Sequence, residues 1–295
     1  MAAALKPLEF ERINFHDPDS VAELVVELHR EIFPNLITDY IPARFSNVAE
    51  MFRGNYPGYQ SMDTAYHDLE HTMQATFCMF YLLSNRHREG ALPKLEETDF
   101  NIALVAILLH DIGYLKEAAD DEGTGAKYTH VHEFRSCRHA REYLRKRNWP
   151  EEAIQSVERL ISCTGPRSDI SMVHFTSDEE RVMGHAICTA DFIGQMGDPR
   201  YVEKLPLLYA EFEESYEFQG LDTEERPFTS YEDMLQKTPD FWDKFLHWKM
   251  NEQCGGIWHY LQDSRDESNP YMDTAKSNIE KIRTLIAKPE AENTQ

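Results

Sequence analysis

Along most of the chain, apolar residues recur three and four positions apart, the spacing of one helix face, and no useful stretch alternates apolar with polar residues. VAELVVELHREIF (21–33) follows this spacing, with Ser20 and Glu23 forming a capping-box pattern ahead of it. Ser177 and Glu180 repeat the pattern before RVMGHAICTADFIGQM. Helical patterns also cover 64–85, 99–112, 130–147, 151–163, 201–217, 240–262 and 271–287. Pro150 and Pro166 bracket the 151–163 helix, whereas Pro206 should kink or split the one over 201–217. The polar segment 218–239, with two prolines, reads as a long loop over one face. The expected fold is all-α, without a βαβ rhythm.

The most apolar run, Ile102–Leu109, has no polar side chain and must be buried, yet it falls far short of the ~20 residues that span a bilayer. Hydrophobic residues make up 41% of the 295, enough for a real core and one large domain with additions. The expected division is an N-terminal helical extension (1–49), a central helical domain (50–215) and a C-terminal helical extension (216–295) ending in a frayed KPEAENTQ tail. Formal net charge is −22, from 52 acidic against 30 basic residues. That argues against nucleic-acid binding and against docking on anionic membranes, and an anionic substrate would need a local basic pocket. Cys78, Cys137, Cys163, Cys188 and Cys254 are scattered singly, which reads as reduced thiols in a cytoplasmic protein. MAAALKPLEFERINF shows no signal peptide. Gly123 and Gly125 lie in a polar loop without a preceding strand and do not make a phosphate loop.

Chemistry concentrates in four places. His110 and Asp111 stand side by side where the buried run ends, and one cation can take both if the helix stops there; Gly113 is the expected terminator. His67 and His71 are four residues apart, so both imidazoles are expected on one face of a central helix. His130, His132 and Glu133 open a further helix, and Asp191 is a lone acid among small and apolar residues. Two imidazoles with two carboxylates suit Mn²⁺, Fe²⁺, Zn²⁺ or Mg²⁺, with positions left for water. A water on such a metal ionises near neutral pH, the basis of a hydrolytic centre.

The order His71, His110-Asp111, Asp191 on an all-helical chain resembles the HD-domain superfamily of metal-dependent phosphohydrolases over roughly residues 50–215, with LLHDIGYLK as its most specific signature. The resemblance implies an HD-type helical bundle in which His71, His110, Asp111 and Asp191 bind one divalent metal. YHDLEHT is also similar to the YHNxxH motif of class I cyclic-nucleotide phosphodiesterases, which implies His67 as general acid; Asp68 stands where that motif has Asn. His132 falls where many members place a further His. The stretch where dinuclear members add another reads ISCTGPR, with Cys163 and Thr164 and no His. One metal per chain is therefore expected, with His132 on a water or substrate phosphate, although His130 or His174 could complete a second site. Lys116, Arg135 and Arg167 are candidates for a phosphate pocket, Lys116 foremost.

The function expected is hydrolysis of a small phosphorylated substrate, with Asp111 orienting the nucleophile and His67 or His132 protonating the leaving group. Two alternatives use the same scaffold: an oxygenase with two irons, and a regulatory protein that holds metal without turnover. The aromatic segment FWDKFLHWKMNEQCGGIWHY (241–260) is expected to pack on the core.

Overall fold

The computed structural model describes residues 13–265 and 267–287. The expected lack of a leader falls mostly on residues 1–12 and the expected frayed tail on 288–295, both outside the described residues. Ten α-helices account for most of the rest: α1 (Pro18–Ile32), α2 (Tyr40–Phe52), α3 (Leu69–Arg88), α4 (Glu97–Leu109), α5 (His132–Arg145), α6 (Glu151–Ile161), α7 (Asp178–Met196), α8 (Tyr201–Gln219), α9 (Tyr231–Asp240) and α10 (Pro270–Ala287). Short 3₁₀ turns at Ile112–Tyr114 and Gly125–Tyr128 separate α4 from α5. Two π-helical turns, Phe241–Leu246 and Lys249–Gln253, continue from α9. Among the described residues there is no strand beyond an isolated antiparallel bridge between Tyr59 and Glu117, so the fold is all-α. No described helix is long and apolar enough to cross a membrane.

α3 is the hub. Every residue from Glu70 to Arg86 is buried, because α1, α4 and α7 pack around it. The approach to α7 is close: a Cβ on Gly194 would stand 3.2 Å from the Ala75 Cα. His71 lies one helical turn before Ala75 and Asp191 one turn before Gly194, so this tight crossing carries two candidate ligands toward each other. The apolar run of α4 is buried from Ala103 to Leu109 against α6, α3 and α7, as its lack of polar side chains requires, while Ile102 at its start is only partly buried.

Local capping departs from expectation in instructive ways. α1 starts earlier than the Ser20–Glu23 pattern predicts. Pro18 occupies its first turn, Asp17 is the N-cap, and Ser20 Oγ donates to Asp17 Oδ2 at 2.6 Å instead of capping. Ser177 does cap α7, accepting from Glu180 N at 3.0 Å. The Glu180 carboxylate does not close the box; it accepts from Thr176 N, Ser156 Oγ and Arg159. Pro206 does not split α8, which runs unbroken from Tyr201 to Gln219; a proline in the second turn removes only the bond to the carbonyl four residues back. Segment 218–239 is not one long loop either. Ser230 accepts from Asp233 N and starts α9, which buries Met234 and Thr238.

Candidate metal centre

α4 ends at Leu109, so His110 and Asp111 leave the helical repeat: His110 is the cap, and Asp111 (φ −108°, ψ 5°) opens the Ile112–Tyr114 turn. Gly113 is not the left-handed terminator that was expected. Its role is close approach: a Cβ there would lie 2.0 Å from His132 O and 2.7 Å from Ser136 N, while its own N–H donates to Ser136 Oγ at 2.8 Å. The turn is thereby pressed against the start of α5, which brings His132 to Asp111.

The expected ligands converge. His71, His110 and Asp191 offer ligand atoms within 4.8 Å of one another, all three buried, and they could hold a metal ion. Asp111 stands outside that mutual set, yet its Oδ2 lies 3.3 Å from His71 Nε2 and 3.2 Å from His110 Nε2. Asp191 Oδ1 lies 3.4 and 3.6 Å from the same nitrogens. Ligands ~2.1 Å from a common centre stand roughly 3.0 Å apart along an octahedral edge and roughly 3.4 Å along a tetrahedral one, so these separations are of coordination size. His110 Nδ1 donates to Ile107 O at 2.7 Å, which leaves Nε2 to face the cluster. Both ring nitrogens of His71, Nε2 of His110 and Oδ2 of Asp111 are buried without a hydrogen-bond partner. Polar atoms left this way are costly unless a cation meets them, and the donor set of two imidazoles and two carboxylates fits a divalent ion.

Electrostatics agree. Burial alone would pull the His71 imidazole down, but Asp111 and Asp191 outweigh it and raise it to about 9. His110 is raised well above its ordinary value by the same carboxylates against the same burial. For Asp111 and Asp191 burial acts upward, yet the two imidazoles hold both carboxyls well below the usual range. Without metal, two imidazolium charges balance two carboxylates, the charge that one divalent cation would carry.

His67 reaches the centre by a route other than the expected helix face. α3 begins at Leu69, and Asp68 is its N-cap, accepting from His71 N at 2.9 Å. His67 therefore precedes the helix, with its ring 5.4 Å from that of His71. Its Nδ1 meets Glu211 Oε2 at 2.5 Å, and Glu211 Oε1 accepts Tyr66 N at 2.6 Å and His67 N at 3.2 Å. An ionised carboxylate only accepts, so this contact places the hydrogen on Nδ1 and frees Nε2. Tyr114 packs against both His67 and His132, with centroids 4.7 and 4.5 Å away, and the two imidazoles are themselves 6.1 Å apart. His132 Nδ1 donates to Thr129 O at 2.9 Å, and its Nε2 stands 3.5 Å from Asp111 Oδ1.

Glu211 and Tyr114 were not among the candidates. Glu211 lies in YAEFEESYEF, where Glu213, Glu214 and Glu217 surround it, and its distinguishing feature is burial on an acidic helix.

The phosphate-pocket candidates have other partners. Lys116 Nζ donates to Gly123 O at 2.6 Å and pairs with Asp63 at 3.0 Å, tethering the Gly123–Gly125 loop. Arg135 donates to Gly113 O and Leu115 O at 2.7 and 2.8 Å and lies over the Tyr128 ring, clamping the turn that bears Asp111. Arg167 contacts His130 Nδ1, and His174 Nδ1 meets Met172 O, so neither of these histidines is directed to the cluster. From ISCTGPR the backbone contributes instead: Gly165 N–H donates to Asp191 Oδ2 at 3.2 Å.

A family model described as Npun_R2479-like matches residues 55–266. The chain belongs to the Npun_R2479-like family. All the converging side chains, from His67 to Glu211, lie within the matched span, which also takes in α9 and the π-helical turns. No curated protein matches this Npun_R2479-like chain.

Proposed function

We propose that this protein is a metal-dependent hydrolase acting on a phosphate ester, a nucleotide, cyclic nucleotide or other small phosphorylated metabolite. The observation that carries the reading is the convergence of His71, His110, Asp111 and Asp191 on one buried point with unpartnered lone pairs. Those four would hold one divalent cation, Mn, Zn, Mg or Fe. Their order and approach also support the resemblance to HD-domain phosphohydrolases. When bound, such a cation supplies a water of lowered pKa and polarises a phosphoryl oxygen.

The protein's own groups then divide the remaining work. Asp111 has its Oδ1 on the side of His132 and would orient the attacking water through it. His67, fixed by Glu211 through Nδ1, would use Nε2 to protonate the departing oxygen, and His132 would contact the phosphate or its water. The stacked Tyr114 keeps the two imidazoles in register. The free state of all five cysteines supports a cytoplasmic location.

The test is a panel of aryl phosphomonoesters and phosphodiesters offered to chelator-stripped protein reloaded with Mn²⁺, Zn²⁺, Mg²⁺ or Fe²⁺. Metal-dependent phenol release that is lost in His67→Ala supports the reading. Metal-loaded protein that cleaves no ester in the panel or among common nucleotides argues against it.

A further inference from the structure

The second π-helical turn begins with Lys249, which is 1% exposed although it bears an ammonium. No carboxylate within ion-pair distance is found for it among the described residues. Its Nζ instead donates to Ser168 O at 2.6 Å and Ser168 Oγ at 2.9 Å, and it lies over the rings of Phe192 and Phe245. A buried charge without a counter-ion is unfavourable, and here it is directed at a single residue of a loop more than eighty positions earlier.

That loop is the one that touches the metal cluster. Ser168 Oγ is 3.0 Å from Cys163 O and 2.9 Å from Gly165 O, so it closes the 163–168 turn on itself. Gly165, with φ +80°, presents its N–H to Asp191 Oδ2 at 3.2 Å. Asp191 then has Oδ1 left for His71 and His110. The path Lys249, Ser168, Gly165, Asp191 runs from the C-terminal segment to a candidate ligand through three consecutive polar links. Phe192, the next residue after Asp191, is one of the rings beneath the ammonium, so Lys249 also meets α7 directly beside that residue.

We infer that Lys249 is a positioning residue for the metal centre: it holds the 163–168 loop so that the Gly165 N–H fixes one Asp191 oxygen and aims the other at the cation. This rests on the metal reading proposed above and assigns the C-terminal segment a part in it. Groups behind a metal ligand typically contribute about 10- to 100-fold in affinity, and the same range is expected here.

The experiment is calorimetric titration of chelator-stripped full-length protein with Mn²⁺, comparing wild type, Lys249→Met, Ser168→Ala and the double variant. Methionine keeps the apolar stem and removes the ammonium. The expected result is Mn²⁺ affinity roughly tenfold or more weaker in Lys249→Met, with the Ser168→Ala loss not adding to it in the double variant, because both break one path. Wild-type affinity in a folded Lys249→Met protein would overturn the inference, as would simple addition of the two losses. Should Lys249→Met fail to fold, Ser168→Ala carries the decision alone, since the hydroxyl is a small deletion. Wild-type protein that binds no Mn²⁺ would instead bring down the metal reading itself, so the two failures are distinguishable.

Discussion

Replacing Glu211 with Gln changes one oxygen to an NH₂ group at a buried carboxylate that accepts from two backbone N–H groups and one imidazole nitrogen. The amide oxygen can still serve Tyr66 N and His67 N. The NH₂ group then faces His67 Nδ1, and since it only donates, Nδ1 must become the acceptor and the hydrogen must move to Nε2. Losing a charge-assisted bond costs about 1.5–3 kcal/mol, so the Gln variant should unfold at lower urea yet remain folded. Glu211→Leu removes the acceptor for the two backbone donors as well, adding about 1–3 kcal/mol for each. Imidazole ¹⁵N shifts of His67 should report a switched tautomer in Glu211→Gln, and turnover should fall by about 10²–10⁴, the usual contribution of a positioned acid or base. An unchanged His67 tautomer with wild-type turnover in Glu211→Gln would refute the reasoning and leave Glu211 as a backbone anchor only.

Gly113→Ala should destabilise the fold, because its Cβ would fall on the His132 and Ser136 backbone; the cost is on the order of 3 kcal/mol or more, read as a drop of roughly 6–12 °C in Tm. Metal loading at pH 7 should release about two protons per chain, since His71 and His110 are raised and must be neutral to ligate; calorimetry in buffers of different ionisation enthalpy measures this, and proton-neutral binding would contradict it. For the metal-free protein the sign is set by the raised His71. Its contribution to stability is complete below about pH 6.5 and is lost as pH rises through about 9. Denaturant midpoints of chelated protein at pH 6 to 10 should therefore fall toward the alkaline end, and added metal should reverse the trend.

The helices around the site were legible because their apolar spacing is strong: α3, α4 and α7 contain the buried runs that the pattern demanded. The four candidate ligands were legible for a related reason. An Asp amid GHAICTA and a His-Asp pair at the end of an eight-residue apolar run are expensive to bury alone, so their need for partners shows in one dimension. Geometry that depends on two distant segments did not show. Gly113 looks like a terminator until α5 is seen against it, and Lys116 and Arg135 look like free cations until their carbonyl partners are in place. Glu211 was invisible because an acid among acids reveals its burial only when α8 has docked. His67 reached the centre although its helical placement was mistaken, because an N-cap at Asp68 turns the chain where a further helical turn was expected.

The central claim is that His71, His110, Asp111 and Asp191 hold one divalent metal, and elemental analysis of wild type beside Asp111→Ala after metal repletion tests it most directly. The account predicts about one metal ion per wild-type chain and a near-total loss in the variant while the helical signal is retained. Metal retained by Asp111→Ala, two irons per wild-type chain, or none after repletion would contradict it.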